Sequence, residues 1–224
     1  MKRVALLYSG EIRNILDCFN NHYDNIILPN KDEYEFDIYF HLWITPWETN
    51  DLRTRVLQTL RPLAYEFEPY IEFKNDIVPD PRFPHPVQNF YSMFYGMNKV
   101  NKLKEKIEHD QNKKYDLVFR MRTDLFFLRS IGKLSDYDNT RIHIQEDWAH
   151  LEYGVNDQFA FGPSEDMSKF ISVYENLDEL YKMGCAINPE CLMGFNAQNV
   201  HNLKIERHKW KFWLFRHILW NISK

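Results

Sequence analysis

Apolar residues run without interruption from Val4 to Tyr8 and stop at Ser9-Gly10, the pattern of a strand buried on both faces that breaks into a turn. From Ile12 to Tyr23 the spacing changes: Ile12, Ile15, Leu16 and Phe19 recur at steps of three and four, which predicts a helix with one apolar face. Phe36 to Ile44 reads as a second strand, ending in His41-Leu42-Trp43 ahead of a Thr-Pro break. Strand, helix and strand at this spacing make a βαβ unit, and hence a parallel sheet. A short helix is expected over Leu52 to Leu60. Six of the ten prolines then fall between Pro62 and Pro86, predicting a surface segment with one short strand near Tyr70 to Phe73.

The longest periodic stretch, Val87 to His109, sets Phe90, Met93, Met97, Val100, Leu103 and Ile107 on one helical face and Tyr91, Ser92, Tyr95, Asn98 and Lys99 on the other. A third strong strand is expected over Tyr115 to Leu128, interrupted by Arg120-Met121-Arg122-Thr123-Asp124. Two more strands are read at Arg141 to Gln145 and Asp157 to Phe161. A helix follows from Ser164 to Met183, with Ser164 as its cap and acids in its first turn. There is no internal repeat and no linker. The expected fold class is a single α/β domain over residues 1–203, a mixed, mostly parallel sheet flanked by helices, followed by a basic aromatic tail, 204–224, of helical character.

Composition narrows the chemistry. Only 7 of 224 residues are glycine, where average usage of about 7% gives roughly 16. Neither G-x-G-x-x-G nor G-x-x-x-x-G-K-[ST] occurs, which counts against a fingerprinted dinucleotide-binding domain and a P-loop NTPase. The tail carries six Lys/Arg against the single acid Glu206; removing that +5 from the overall −4 leaves the body at −9. An acidic body lacks the basic face that nucleic acid requires, so no nucleic-acid partner is expected. Cys18, Cys185 and Cys191 form neither a metal-type pair nor an even disulfide set, which reads as free thiols in a reducing cytoplasm. No apolar run has the length of a signal peptide core or a spanning helix.

Charge in a strand otherwise buried is costly unless paired or used. Alternation puts Arg120, Arg122 and Asp124 on one face. Two readings stand: arginines that grip a diphosphate with a carboxylate that holds Mg²⁺ or Mn²⁺, or a buried ion cluster that fixes the strand. In Trp148 to Gly162, Asn156-Asp157-Gln158 at the mouth of a strand offers donors and acceptors suited to sugar hydroxyls. Trp148 offers a stacking face, and Asp157 is the carboxylate placed to act as general base. The alternative is a turn capped by Asn and Asp. In open α/β sheets ligands bind beyond the carboxyl ends of the strands. Ser9, Gly10 and Arg13, His41 and Trp43, and Arg122 and Asp124 are therefore expected at one edge.

Leu7-Tyr8-Ser9-Gly10-Glu11-Ile12-Arg13-Asn14, the strand ending His41-Leu42-Trp43, Ser92 to Lys99 on the long helix, the Arg-x-Arg-x-Asp of Arg120 to Asp124, and Asn156-Asp157-Gln158-Phe159 with Gly162 together resemble a family of small bacterial and large-DNA-virus glycosyltransferase-like proteins, to which a chlorella-virus rhamnosyltransferase domain is related. The resemblance covers residues 3–175 and implies a GT-A fold with a nucleotide-diphospho-sugar at its C-terminal strand edge. The family's metal-binding D-x-D falls on Arg122-Thr123-Asp124, of which only the last acid is present. Asp124 thus inherits the metal role, Arg122 replaces part of the cation's charge, and dependence on Mn²⁺ or Mg²⁺ stays open. Ser9, Gly10, Arg13, His41, Ser92, Arg120 and Arg122 are then the donor-binding candidates. Asp157 is the candidate base, and Trp148, Asn156 and Gln158 are the acceptor candidates.

Trp210, Trp213, Leu214 and His217 share one helical face of the tail, flanked by Lys209, Lys211 and Arg216. Such a helix lies in a membrane interface or packs back on the domain by its aromatic side. The combined expectation is a cytoplasmic glycosyltransferase, peripheral to the membrane if the tail docks there, moving a hexose or deoxyhexose to a glycan or lipid-linked acceptor. Two alternatives accompany it: a catalytically degenerate glycan-binding or scaffold module, and a nucleotidyltransferase lacking its usual loop. Trp43, Trp47 and Trp148 are expected around the sugar.

Overall fold

In the computed structural model, which describes residues 1–74, 77–78 and 86–215, the first apolar run becomes strand β1 (Lys2–Glu11). It is flanked in parallel by β2 (Tyr34–Ile44) and β4 (Leu117–Arg122). Beyond β2 lies β3 (Ala64–Pro69), also parallel. Beyond β4, β7 (Phe159–Gly162) runs antiparallel to β4 and to β6 (Ile142–Gln145), and β8 (Ile205–His208) closes the edge parallel to β6. The seven-stranded order is β3-β2-β1-β4-β7-β6-β8. The molecule is a mixed, mostly parallel α/β sheet, as its strand pattern predicts.

Both faces are covered, which is why β1 reads as an unbroken apolar run. Val4, Leu6 and Tyr8 enter a core with Phe40, Phe119 and Phe161, beneath α1 (Ile15–His22), α2 (Asn50–Leu60) and a two-stranded sheet of β5 (Leu125–Phe127) with β9 (Phe212–Leu214). Ala5 and Leu7 face the other core, built with α3 (Val87–Asp110), α4 (Ser164–Phe170), α5 (Val173–Lys182) and α6 (Pro189–Phe195). No helix among the described residues is long and apolar enough to cross a membrane.

Several local expectations are corrected. Ser9-Gly10 is not a turn: β1 continues to Glu11, with Gly10 at φ +123°, a conformation that an L side chain rarely adopts. The first helix begins at Ile15 and passes into a π-helical turn, Tyr23–Ile27. The strand of the proline-rich segment is β3, not Tyr70 to Phe73, because Ala64 to Pro69 pairs with the exposed side of β2. The long 115–128 strand is two. Thr123 Oγ1 donates to the Glu11 carbonyl (2.6 Å), and past Asp124 the chain leaves the main sheet to pair with β9.

The α3 helix is where expected, yet its buried stripe is rotated. Phe94, Asn101, Lys104 and Glu108 are buried, whereas Met93, Leu103 and Ile107 are only partly so. Lys104 Nζ donates to Ser164 Oγ (2.8 Å) and Ser168 Oγ (2.9 Å) and lies 3.4 Å from Glu108 Oε2. Glu108 Oε1 accepts from Ser164 Oγ (2.6 Å) and the Tyr115 amide (2.8 Å). A buried pair so completely hydrogen-bonded is tolerable inside a core. It also employs Ser164, which therefore caps no helix. The expected 164–183 helix divides into α4 and α5 near Ser172, whose hydroxyl bonds the Lys169 carbonyl and competes with the helical ladder.

The tail differs most. Where a helix is expected over 204–224, the described part is extended: β8 extends the main sheet and β9 covers β5. Trp210 stacks on His208 (4.5 Å) and on Phe161 (5.5 Å). Core contacts and ladder hydrogen bonds thus override a helical spacing of aromatics. His217, Arg216 and the rest of 216–224 lie outside the described residues.

Candidate active site

A cleft of about 460 Å³ opens beyond the carboxyl ends of β1, β2 and β4, where the strand order reverses across β1 and β4. Ser9, Gly10 and Arg13 reach it from the end of β1, Ser92 from α3, and Arg120, Arg122 and Asp124 from β4 and the residues after it. Trp148 reaches it from the loop after β6, and Asp157 and Gln158 from the residues that lead into β7, the neighbour of β4. Ten of the twelve predicted site residues therefore line one cavity. Arg13 and Trp148 hold left-handed backbone (φ 43° and 67°), strain that persists only where surrounding structure fixes it.

The cationic end is built around Asp124, which is fully buried. Arg122 donates to both of its oxygens, Nε to Oδ1 (2.8 Å) and Nη2 to Oδ2 (2.9 Å), and Arg13 Nη1 donates to Oδ2 at 2.5 Å. Burial opposes ionisation of Asp124, but Arg122 and Arg13 outweigh it and hold the carboxyl well below the usual carboxylate range. Arg120 is 2% exposed; its Nη1 donates to the Gln158 carbonyl (2.7 Å) and its Nε has no partner. Burial pushes its guanidinium down to about 9, with the charge of Asp157 acting the other way, so it stays cationic at neutral pH. Two guanidiniums thus hold one carboxylate, with the third, Arg120, bound to the Gln158 carbonyl.

A divalent cation does not fit this arrangement as a D-x-D site would hold it. Both Asp124 oxygens accept from guanidiniums, and a cation beside them would face Arg13 and Arg122. Asp124 is engaged as an anchor for two arginines.

Part of the wall beside it is acidic. Asp157 is 7% exposed. Burial, and after it the charge of Asp157, pushes the nearby Glu190 carboxyl up to about 7. Asn188 caps α6, its Oδ1 accepting from the Cys191 amide (2.7 Å), while its buried Nδ2 has no partner in the wall of the cleft. The α6 helix presses on the 148–155 loop so closely that a Cβ on Gly194 would meet the Tyr153 carbonyl at 1.5 Å.

Two predicted residues are not in the cleft. His41 is fully buried behind it, with Nε2 on Glu68 Oε2 (2.8 Å) and its ring edge-on to Trp43; it supports the wall that Trp43 presents. Asn156 is 1% exposed, its Oδ1 accepting from the amides of Gln158 (2.9 Å) and Phe159 (3.1 Å) and its Nδ2 donating to Gln145. It therefore shapes the loop that presents Asp157. Trp47 is 69% exposed and outside the cleft. Sequence reasoning missed Tyr70, Asn188 and Glu190. For the last two a signal existed: Asn-Pro-Glu is an N-cap, an N1 proline and a first-turn acid, which marks a helix start.

No protein-family model matches the chain, and a search of curated proteins finds no match. Among solved structures it is similar to the glycosyltransferase GlyE of Streptococcus pneumoniae TIGR4, at 10% identity over 93% of this chain and 45% of that one, with a TM-score of 0.46. The apo form of GlyE gives 11% identity, 92% and 45% coverage and a TM-score of 0.48. The chain spans less than half the length of these structures.

Proposed function

We propose that this chain transfers a sugar, a hexose or deoxyhexose, from a nucleotide-diphosphate donor to a hydroxyl of a glycan or lipid-linked acceptor. The observation that carries the reading is the buried, under-bonded Arg120 beside the Arg13–Asp124–Arg122 clamp, lining one cleft with Asp157. Preorganised cations are worth most where negative charge develops in a water-poor site. When the anomeric carbon–oxygen bond breaks, its electron pair goes to the terminal phosphate oxygen, and Arg120 with Arg13 and Arg122 stabilises that charge. Asp157 takes the proton of the acceptor hydroxyl as the new carbon–oxygen bond forms. Trp148 supplies an apolar face for a sugar ring, and Gln158 and Asn188 Nδ2 supply hydrogen bonds to hydroxyls.

In this reading the guanidiniums perform the neutralisation for which a D-x-D enzyme uses its cation. Release of nucleoside diphosphate from UDP-, GDP- and dTDP-sugars in the presence of candidate acceptors tests it. Asp157→Asn is expected to lower turnover by about 10²- to 10⁴-fold, the usual worth of a general base, and to leave donor Kd within about twofold. Retained turnover in that variant removes Asp157 as base. Donor binding without turnover by the unaltered chain, under any acceptor, favours a glycan-binding module instead.

A further inference from the structure

At the far edge of the main sheet, away from the cleft, β6 and β8 bring His143, Glu206 and His208 together, with one potential ligand atom from each lying within 4.8 Å of the others. We propose that these three residues bind one transition-metal ion of the Zn²⁺ type, which clips the edge strand β8 to β6.

The donor set and its tautomers favour this. His143 is fully buried, and its Nε2 lies 2.9 Å from the Asp138 carbonyl. A carbonyl only accepts, so Nε2 carries the proton and Nδ1 presents a bare lone pair, the arrangement in which a ligand histidine is oriented by an outer hydrogen bond. That lone pair faces His208 Nε2 at 2.9 Å. Glu206 Oε1 lies 3.8 Å from the same His208 nitrogen. Ligand nitrogens of tetrahedral zinc, at 2.0–2.1 Å from the metal, are on the order of 3.3 Å apart, so sub-ångström side-chain shifts suffice. Metal binding requires the proton between the imidazoles to move to the other nitrogen of His208, with no net charge left behind.

The surroundings agree. Arg141, the nearest cation, is bound to Asp138 Oδ2 at 2.8 Å and lies 3.8 Å from the other Glu206 oxygen, Oε2, which leaves Oε1 toward the histidines. Tyr137 meets both imidazoles edge-on (5.0 and 5.2 Å) and Trp210 stacks on His208, so ring orientations are fixed in advance. Glu206 and His208 retain side-chain exposure of 42% and 19%, an entry path from solvent and room for a water as fourth ligand. Among the described residues this is the one such group of three.

The test uses the full chain, stripped by chelator and dialysed. Calorimetry with Zn²⁺ is expected to give one site of micromolar or tighter affinity, and Co²⁺ to give the intense visible bands of a tetrahedral centre. His208→Gln should abolish both. Glu206→Gln, at a half-exposed position and so folding independently of the outcome for His208, should weaken Zn²⁺ by at least about tenfold. His109→Gln, on a side chain 91% exposed and remote from the cluster, should change nothing. Binding no tighter than millimolar in the unaltered chain, or a site that survives Glu206→Gln at full affinity, overturns the proposal.

Discussion

Two stretches of the cleft wall treat their carboxylates in opposite ways. Asp124, at the arginine end, is fully buried and accepts three guanidinium hydrogen bonds. Its charge is consumed in holding Arg13 and Arg122 in place. Asp157 and Glu190 share another, partly desolvated stretch of the wall, where the charge of Asp157 supports the cationic forms of Arg120 and Arg122 and Glu190 is driven toward neutrality. Identical chemistry in two environments thus differs in use: Asp124 is an anchor, while in the proposed function Asp157 is the proton acceptor. A residue's role follows from what already satisfies it.

The largest way to break the contrast is at Asp124. Asp124→Asn leaves Arg122, 17% exposed, and Arg13, 34% exposed, without their buried counter-charge; a fully buried pair broken in this way costs about 3–5 kcal/mol, and solvent screening at Arg13 puts the expected loss toward or below the lower end, measurable by urea denaturation at neutral pH. The sign with pH follows from linkage. The folded-state pKa of Asp124 is depressed, so its stabilisation is present above the unfolded value, about 3.9, and is lost as pH falls through the acidic range below it. The Asn variant should lack that part of the acid slope.

A smaller effect is expected at Glu190. Its folded pKa is raised, so the native state is favoured when the group is protonated and loses stability as pH rises from its ordinary range, about 4.5, to about 7. Glu190→Gln should flatten denaturation midpoints between pH 5 and 8 (roughly the span of that titration) and shift the alkaline or neutral limb of the turnover profile. A midpoint profile identical to the unaltered chain contradicts the coupling. The smallest effect belongs to Trp47→Ala: the ring is exposed and outside the cleft, so turnover and donor affinity should stay within about twofold, as for surface substitutions generally.

What was legible in the sequence follows the same logic of partners. The β1, β2 and β4 strands announce themselves because burial on both faces demands continuous apolar residues, and the polar break at Arg120 to Asp124 marks where β4 leaves that environment. The pairing of Asp124 with Arg122 was one of two readings of the sequence, but its anchoring of Arg13 was not legible, because Arg13 lies 111 positions away. The stripe of α3 was misjudged because Lys104 and Glu108 are buried only by virtue of each other and of Ser164. Trp210, Trp213 and Leu214 satisfy a helical period, yet Phe212 and Leu214 equally satisfy the alternation of β9, and pairing with β5 decides. Glu190 carried no periodic signal, since its environment is made by Asp157 and the 148–155 loop.

In the proposed function the arginines of the cleft bind a diphosphate without a cation on Asp124. Calorimetry of UDP, GDP and dTDP and their sugars against the intact chain, in chelator and again with Mn²⁺, tests it most directly. The account predicts one-site binding in chelator, little changed by Mn²⁺. Arg120→Met should weaken it by about 10- to 150-fold, the worth of a hydrogen bond to a charged group at about 1.5–3 kcal/mol. Absence of binding under every condition, or binding that appears only with Mn²⁺, would contradict it.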